Sequence, residues 1–219
     1  MGWTRGRKYP PSCTELTHGP TMRLDKSFEL FTYWKSTRGI ADAPLRSEID
    51  PGAIRHMLPQ VFILEAADDG GPRFRLAGTM ICSLFGRELR DMPFSSLWSS
   101  QGAEAVTFAK GVMDGVSPAV LNATGNGGYG RSMTFEVILL PMRSSPDRCD
   151  RVLGCLVATS KSAWLGTQPL AGLRLDRGRT IDGRTGLREP ETPAPQSPAS
   201  ALASKGLGLS HAVRRALNL

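Results

Sequence analysis

At 219 residues, 40% hydrophobic and 21% charged, the chain is long enough for one ordinary domain with extensions and has a globular composition. It has no run of about 18 apolar residues, which excludes a membrane-spanning helix, and its basic start, MGWTRGRKYPPSC, lacks the apolar stretch of a secretory signal. The net charge of +7 points to a nucleic-acid partner only until it is located: residues 24–170 balance fifteen Lys and Arg against fifteen Asp and Glu, residues 1–23 carry +3 and residues 171–219 carry +4. The basicity is confined to the ends, where it is expected to be solvated rather than to form a nucleic-acid site. The four cysteines, Cys13, Cys82, Cys149 and Cys155, form no CxxC pair and are expected to be reduced thiols of a cytoplasmic protein. His18, His56 and His211 are scattered, so no metal site is expected.

Residues 1–22, with Pro10, Pro11, Gly19 and Pro20, are expected to be a disordered basic leader. Order is expected from residue 23. In LDKSFELFTYWKSTRG the residues Leu24, Phe28, Phe31 and Trp34 recur at helical spacing and Gly39 provides a stop, predicting an amphipathic helix with an aromatic face. In IDPGAIRHML, Asp50 as cap and Pro51 at the first position predict a short helix. QVFILEAADDGGPRFRLAGT is expected to be a hairpin. Its second strand runs directly into a helix from Thr79, which is expected to cap it, towards Leu89, with Gly86 able to terminate it. A turn at PFSSLW and a helix over GAEAVTFAKGVMDG follow. SPAVLNATG, SMTFEVILLPMR and RVLGCLVATSK are expected to be three further strands. Residues 171–219 are expected to be a basic tail, rich in Pro, Ala and Ser from about Gly183. A short terminal helix there would place Leu209, Val213 and Leu217 on one face.

The predicted order is two strands, inserted helices, then three strands. With it, LPQVFILEAADDGGPRFRLAGTMICSLFGREL and YGRSMTFEVILLPMR resemble the segments of small stand-alone bacterial PAS domains, with Arg131, Glu136 and Pro141 at that family's strand positions. The resemblance covers about residues 24–165 and implies an α+β fold: a five-stranded antiparallel sheet, helices inserted after the second strand, and an N-terminal helical lead. It implies that Ala77-Gly78-Thr79 is a structural corner, with Gly78 allowing close backbone approach.

A PAS fold places its helical segment across the sheet. The resemblance thus implies a candidate ligand pocket between Cys82, Phe85, Phe94, Trp98, Phe108 and Met113 on that wall and Leu76 and Phe135 on the sheet. A filled core is the competing expectation. Arg131 is expected either to hold an anionic ligand or to pair with Glu136 or an Asp. Flavin chemistry is not supported, because Cys82 lies in MICSLFG and not in the NCRFLQ of flavin-photoadduct domains. Haem is not supported either, because the core offers only His56, ahead of the first strand. The cofactor is therefore left unknown. Phe28, Phe31, Tyr33 and Trp34 are the candidate dimer surface, with packing onto the chain's own sheet as the alternative. The functional expectation is a non-enzymatic sensory or regulatory module that binds a small ligand or a signalling partner, as a homodimer or with that partner. A closed-core adaptor for protein–protein contacts is the alternative, and nucleic-acid association through the basic ends is the lesser one.

Overall fold

A computed structural model of the chain describes residues 21–68, 71–99 and 102–183. Residues 1–20 of the expected leader and the terminal-helix segment around Leu209, Val213 and Leu217 lie outside the described residues, as does Cys13, while residues 21 and 22, expected to belong to the leader, open the first helix.

Helix α1, Thr21–Arg38, is followed by Gly39 with φ of +56°, a left-handed stop that glycine adopts without penalty. The next segment crosses to the hairpin β1, Val61–Ala66, and β2, Pro72–Ala77. The hairpin is closed by Ala67 N–H donating to the Gly71 carbonyl at 2.9 Å. Helix α2, Thr79–Phe85, a 3-10 turn at Phe94–Leu97 and helix α3, Gly102–Gly115, come next. Strands β3, Ala119–Asn126, β4, Ser132–Met142, β5, Arg151–Ala158, and β6, Gly172–Thr180, complete the fold. The sheet is antiparallel throughout, in the order β2-β1-β5-β4-β3-β6.

The sheet therefore has six strands, not the expected five. The sixth comes from the segment read as tail. In GLRLDRGRT, Leu173 and Leu175 point into the core, Arg174 faces solvent between them, and the strand pairs along all of β3. Arg174, Arg177 and Arg179 hid this two-residue alternation, since they read as charge in a basic extension.

Both faces of the sheet are covered, so its inner strands are apolar on both sides. On one face Phe62, Leu64, Phe135, Val137, Val152 and Leu156 pack under α2, the 3-10 turn and α3. On the other, Val61, Ile63, Ile138, Leu140, Leu153 and Cys155 pack under α1 and the segment after it. Trp34 is 0% exposed there, and its Nε1–H donates to the Pro141 carbonyl at 2.8 Å.

Two local expectations are corrected. Residues 51–57 form successive turns and not an α-helix. Their bonds span three residues, as from Ala53 N–H to the Asp50 carbonyl and from Met57 N–H to the Ile54 carbonyl. Asp50 therefore caps no helix; its carboxylate accepts from Gly52 N–H at 2.8 Å and closes a local Asx turn. The cap position of α2 is occupied by Gly78 and not Thr79, with no side-chain cap bond, and the helix stops at Gly86, φ +62°, short of Leu89.

Candidate functional site

The Gly78 corner positions the site. A Cβ at residue 78 would lie 2.3 Å from the Leu58 carbonyl oxygen and 2.4 Å from the Pro59 carbonyl. Only glycine lets these two stretches of backbone touch. The contact seats the segment before β1 against the β2–α2 junction.

Three polar links tie the same segment to α1. The Tyr33 hydroxyl accepts from Asp50 N–H at 2.7 Å and lies 3.2 Å from the Asp50 carbonyl. His56 Nε2 lies 2.7 Å from Glu29 Oε1, both half-exposed. Lys26 Nζ donates to Gln60 Oε1 at 2.6 Å. Residues 50–60 thus arch over the outer face of the sheet, held at α1 on one side and at Gly78 on the other.

Beneath the arch is a pocket of about 420 Å³. Its floor is Val61, Ile63, Leu76 and Leu153, and its roof is Ile49, Pro51, Ile54, Leu58 and Pro59. Arg46 and Arg55 also line it. Neither guanidinium has an ion-pair or side-chain hydrogen-bond partner among the described residues. The volume falls within the range of small-molecule sites, and the mix of apolar walls with a few charged groups is typical of them. A second hollow of about 400 Å³ shares Pro59 and Thr79 and continues along α2 past Met80 and Ser83.

Leu76 reaches this pocket because of a β-bulge. Ile63 pairs with Leu76, but Leu64 pairs with Phe74, so Arg75 is an extra residue in β2. The bulge reverses the alternation: Phe74 faces the helices, while Leu76 faces the arch and is 44% exposed.

The structure therefore divides the residues expected to bind a ligand. Phe85, Phe94, Trp98, Met113 and Phe135 are buried in the cluster between helices and sheet, with Phe108 and Cys82 partly buried at its margin. Within it the rings of Phe62, Phe74, Phe94 and Trp98 meet at centroid distances from 5.6 to 6.1 Å, the separations of aromatic packing. Leu76 lies on the other face. Arg131 is exposed in the β3–β4 turn, where its carbonyl accepts from Gly127 N–H at 2.8 Å. Pairing with Glu136, one of the expected alternatives, does not occur, because Arg131 precedes β4 and Glu136 lies five residues on along the extended chain, roughly 16 Å away. Of the candidate dimer residues, Phe31 and Trp34 are buried against the chain's own sheet, Tyr33 holds Asp50, and Phe28 remains 52% exposed.

The three described thiols are held towards their protonated form. Burial pushes Cys155 up to about 12, against the smaller pull of Lys26. Burial also raises Cys149. For Cys82 the rise comes from burial first, and then from the Glu88 carboxylate, 3.6 Å from its sulfur. A thiolate is disfavoured at each, the reverse of a reactive cysteine. Among the described residues no cluster of three or more His, Cys, Asp or Glu could hold a metal ion.

Arg46, Ile54, Arg55, Leu58 and Leu153 were not singled out by the sequence. The available signal was Ile49, Ile54 and Leu58 recurring in a segment of poor helical character, an apolar lining without a regular element of its own.

A family model described as PAS domain matches residues 22–157. The chain belongs to the PAS-domain family. The match begins in α1 and ends in β5, so this PAS domain takes in the arch and the pocket, and β6 lies beyond the matched stretch. No curated protein and no solved structure matches the chain. No helix among the described residues is long and apolar enough to cross a membrane.

Proposed function

We propose that this PAS domain is a non-enzymatic sensory or regulatory module whose ligand-responsive element is the arch over the outer sheet face. Family membership supports the sensory or regulatory role. The observation that carries the location is the 420 Å³ pocket between the arch and the floor made by Val61, Ile63, Leu76 and Leu153. An occupant there contacts residues 46–59 directly. Through Tyr33–Asp50, Glu29–His56 and Lys26–Gln60 it acts on α1, so binding favours one placement of that helix over another. Phe28, exposed on α1, is where a second copy or a signalling partner would read that change. In this reading the buried residues Phe85, Phe94, Trp98, Met113 and Phe135 are supporting core.

The test is native mass spectrometry of the freshly purified full-length chain, wild type and Leu76→Trp. The reading predicts an added mass on the wild type that leaves on denaturation and is missing from the variant. A mass retained by Leu76→Trp and lost in Phe85→Ala would move the site to the helix side.

The interlocked rings of Phe62, Phe74, Phe94 and Trp98 favour a second reading, an adaptor with a closed core that works through its surface. A clean apo mass in every preparation, together with a co-purifying protein partner, would support it.

A further inference from the structure

We infer that the pocket under the arch takes an amphipathic anion, a molecule with an aliphatic chain and a single carboxylate or similar acidic head; this rests on the pocket location proposed above. The floor and roof supply the apolar half. Val61, Ile63 and Leu153 come from two adjacent strands, and Ile49, Ile54 and Leu58 close over them. No Asp or Glu lines this space, and its only charged lining residues are Arg46 and Arg55.

The charge argument is one of complementarity. Among the other described arginines, Arg75 and Arg151 pair with Glu65, Arg148 with Asp150 and Arg174 with Asp176, while Arg38, Arg87 and Arg143 donate to backbone carbonyls. Arg46 and Arg55 have no such partner, although Glu48 and Asp50 are close in sequence: the Glu48 carboxylate accepts from Leu45 N–H at 2.7 Å and that of Asp50 from Gly52 N–H at 2.8 Å. Both carboxylates are thus engaged by backbone, and the two cations are left for an incoming acid. Arginine presents a planar fork of donors suited to a carboxylate. Burying the chain supplies affinity, and the arginines supply the preference for an anion. A neutral alcohol of equal chain length would lose that preference, and acetate would lose the burial.

The test is calorimetric titration of the full-length chain with decanoate, 1-decanol and acetate, below micelle-forming concentrations. Decanoate is expected to bind, decanol about tenfold or more weaker, as for loss of charge-assisted hydrogen bonds, and acetate not measurably. Arg46→Gln and Arg55→Gln should each weaken decanoate about tenfold while leaving decanol unchanged. Leu76→Trp should abolish binding of both by filling the pocket from its floor. Leu76→Glu, a second change at the same half-exposed position, should reject decanoate more than decanol. Equal binding of decanol and decanoate, both lost in Leu76→Trp, would overturn the anion inference and leave the pocket standing. Decanoate binding that survives both Leu76 variants would place it on the basic ends and overturn the inference. Absence of binding by either amphiphile would overturn it too, and the mass-spectrometric test would then decide separately whether the pocket takes anything else.

Discussion

The ring of Phe62 covers Gly154 across the β1–β5 pair, so closely that a Cβ at residue 154 would sit 2.1 Å from the ring's Cζ. The glycine weakens the strand locally, and the aromatic ring covers the gap it leaves. Gly154→Ala should therefore destabilise by about 1–3 kcal/mol through overpacking in a core that cannot yield. Gly111 in α3 has an ordinary helical backbone, and a Cβ there would meet nothing within 4 Å, so Gly111→Ala should stabilise by about 0.5–1 kcal/mol. Thermal midpoints of the two variants moving in opposite directions is the expected result. A fall for both would mean that α3 does not expose Gly111.

The lead helix is predicted to be part of the monomer's core. Trp34→Ala removes a fully buried ring and leaves the Pro141 carbonyl without its indole donor. A cost of about 3–5 kcal/mol is expected, seen as a lower urea midpoint at every protein concentration. Phe28→Ala, on the exposed side, should change the stability by less than about 0.5 kcal/mol. If the Trp34→Ala loss disappeared on dilution, the tryptophan would instead be serving an intermolecular contact.

Much of this architecture was legible because most elements obey one period each. Val106, Ala109, Val112 and Met113 mark α3 at helical spacing, although Ala105 and not Val106 is the fully buried residue of its first turns, and the corner at Gly78 followed from a strand meeting a helix without a loop. The pocket was not legible, for two physical reasons. Its floor depends on the bulge at Arg75, and one extra residue sends Leu76 to the opposite face from the one a strict two-residue alternation assigns. Its roof is a run of turns, whose apolar residues have no periodicity to read. The packing of Phe31 and Trp34 on the sheet was undecidable for a related reason: an aromatic helix face looks the same whether it covers its own sheet or a second chain.

Thiol labelling should follow burial. At pH 8, with a small alkylating reagent, Cys82 is expected to react faster than Cys155, which is fully buried and pushed up to about 12. Labelling of Cys155 should appear only with global unfolding, and peptide mass spectrometry across a urea series would show the two steps. The linkage has a definite sign. Cys155 binds its proton more tightly when folded, so its contribution is intact below the ordinary thiol range and is lost as pH rises from about 9 towards about 12. Rapid labelling of Cys155 in the native protein would show that the outer core opens locally.

Acid should act on the loop after α2 through Glu88. Its carboxylate accepts from the backbone N–H of Arg90 and of Leu89, which together hold it below the usual carboxylate range. A depressed value means stability that is present above the ordinary pKa near 4.5 and is lost as pH falls through the folded-state value. Glu88→Gln should therefore lie below wild type in thermal midpoint at pH 7, and the gap should close on the acid side. A gap that persisted unchanged to low pH would assign the effect to packing and not to charge.

The sixth strand provides the sharpest test of where the domain ends. Ending the chain at residue 170 removes Leu173 and Leu175 from the core and strips β3 of its β6 partner along its whole length, leaving it paired to β4 alone. It also uncovers Phe108, whose ring sits where a Cβ on Gly178 would be, 2.2 Å from the ring's Cε2. An edge strand as apolar as Ala119–Leu121, left unpaired on that side, is a template for association between chains. The 1–170 chain should accordingly aggregate or unfold non-cooperatively, while a chain ending at residue 183 keeps all six strands and should melt as one unit. Size-exclusion chromatography with thermal circular dichroism would check both. Equal midpoints for the two truncations would mean that β6 rests on the sheet without belonging to its cooperative core, and the domain would then close at β5, where the family match ends.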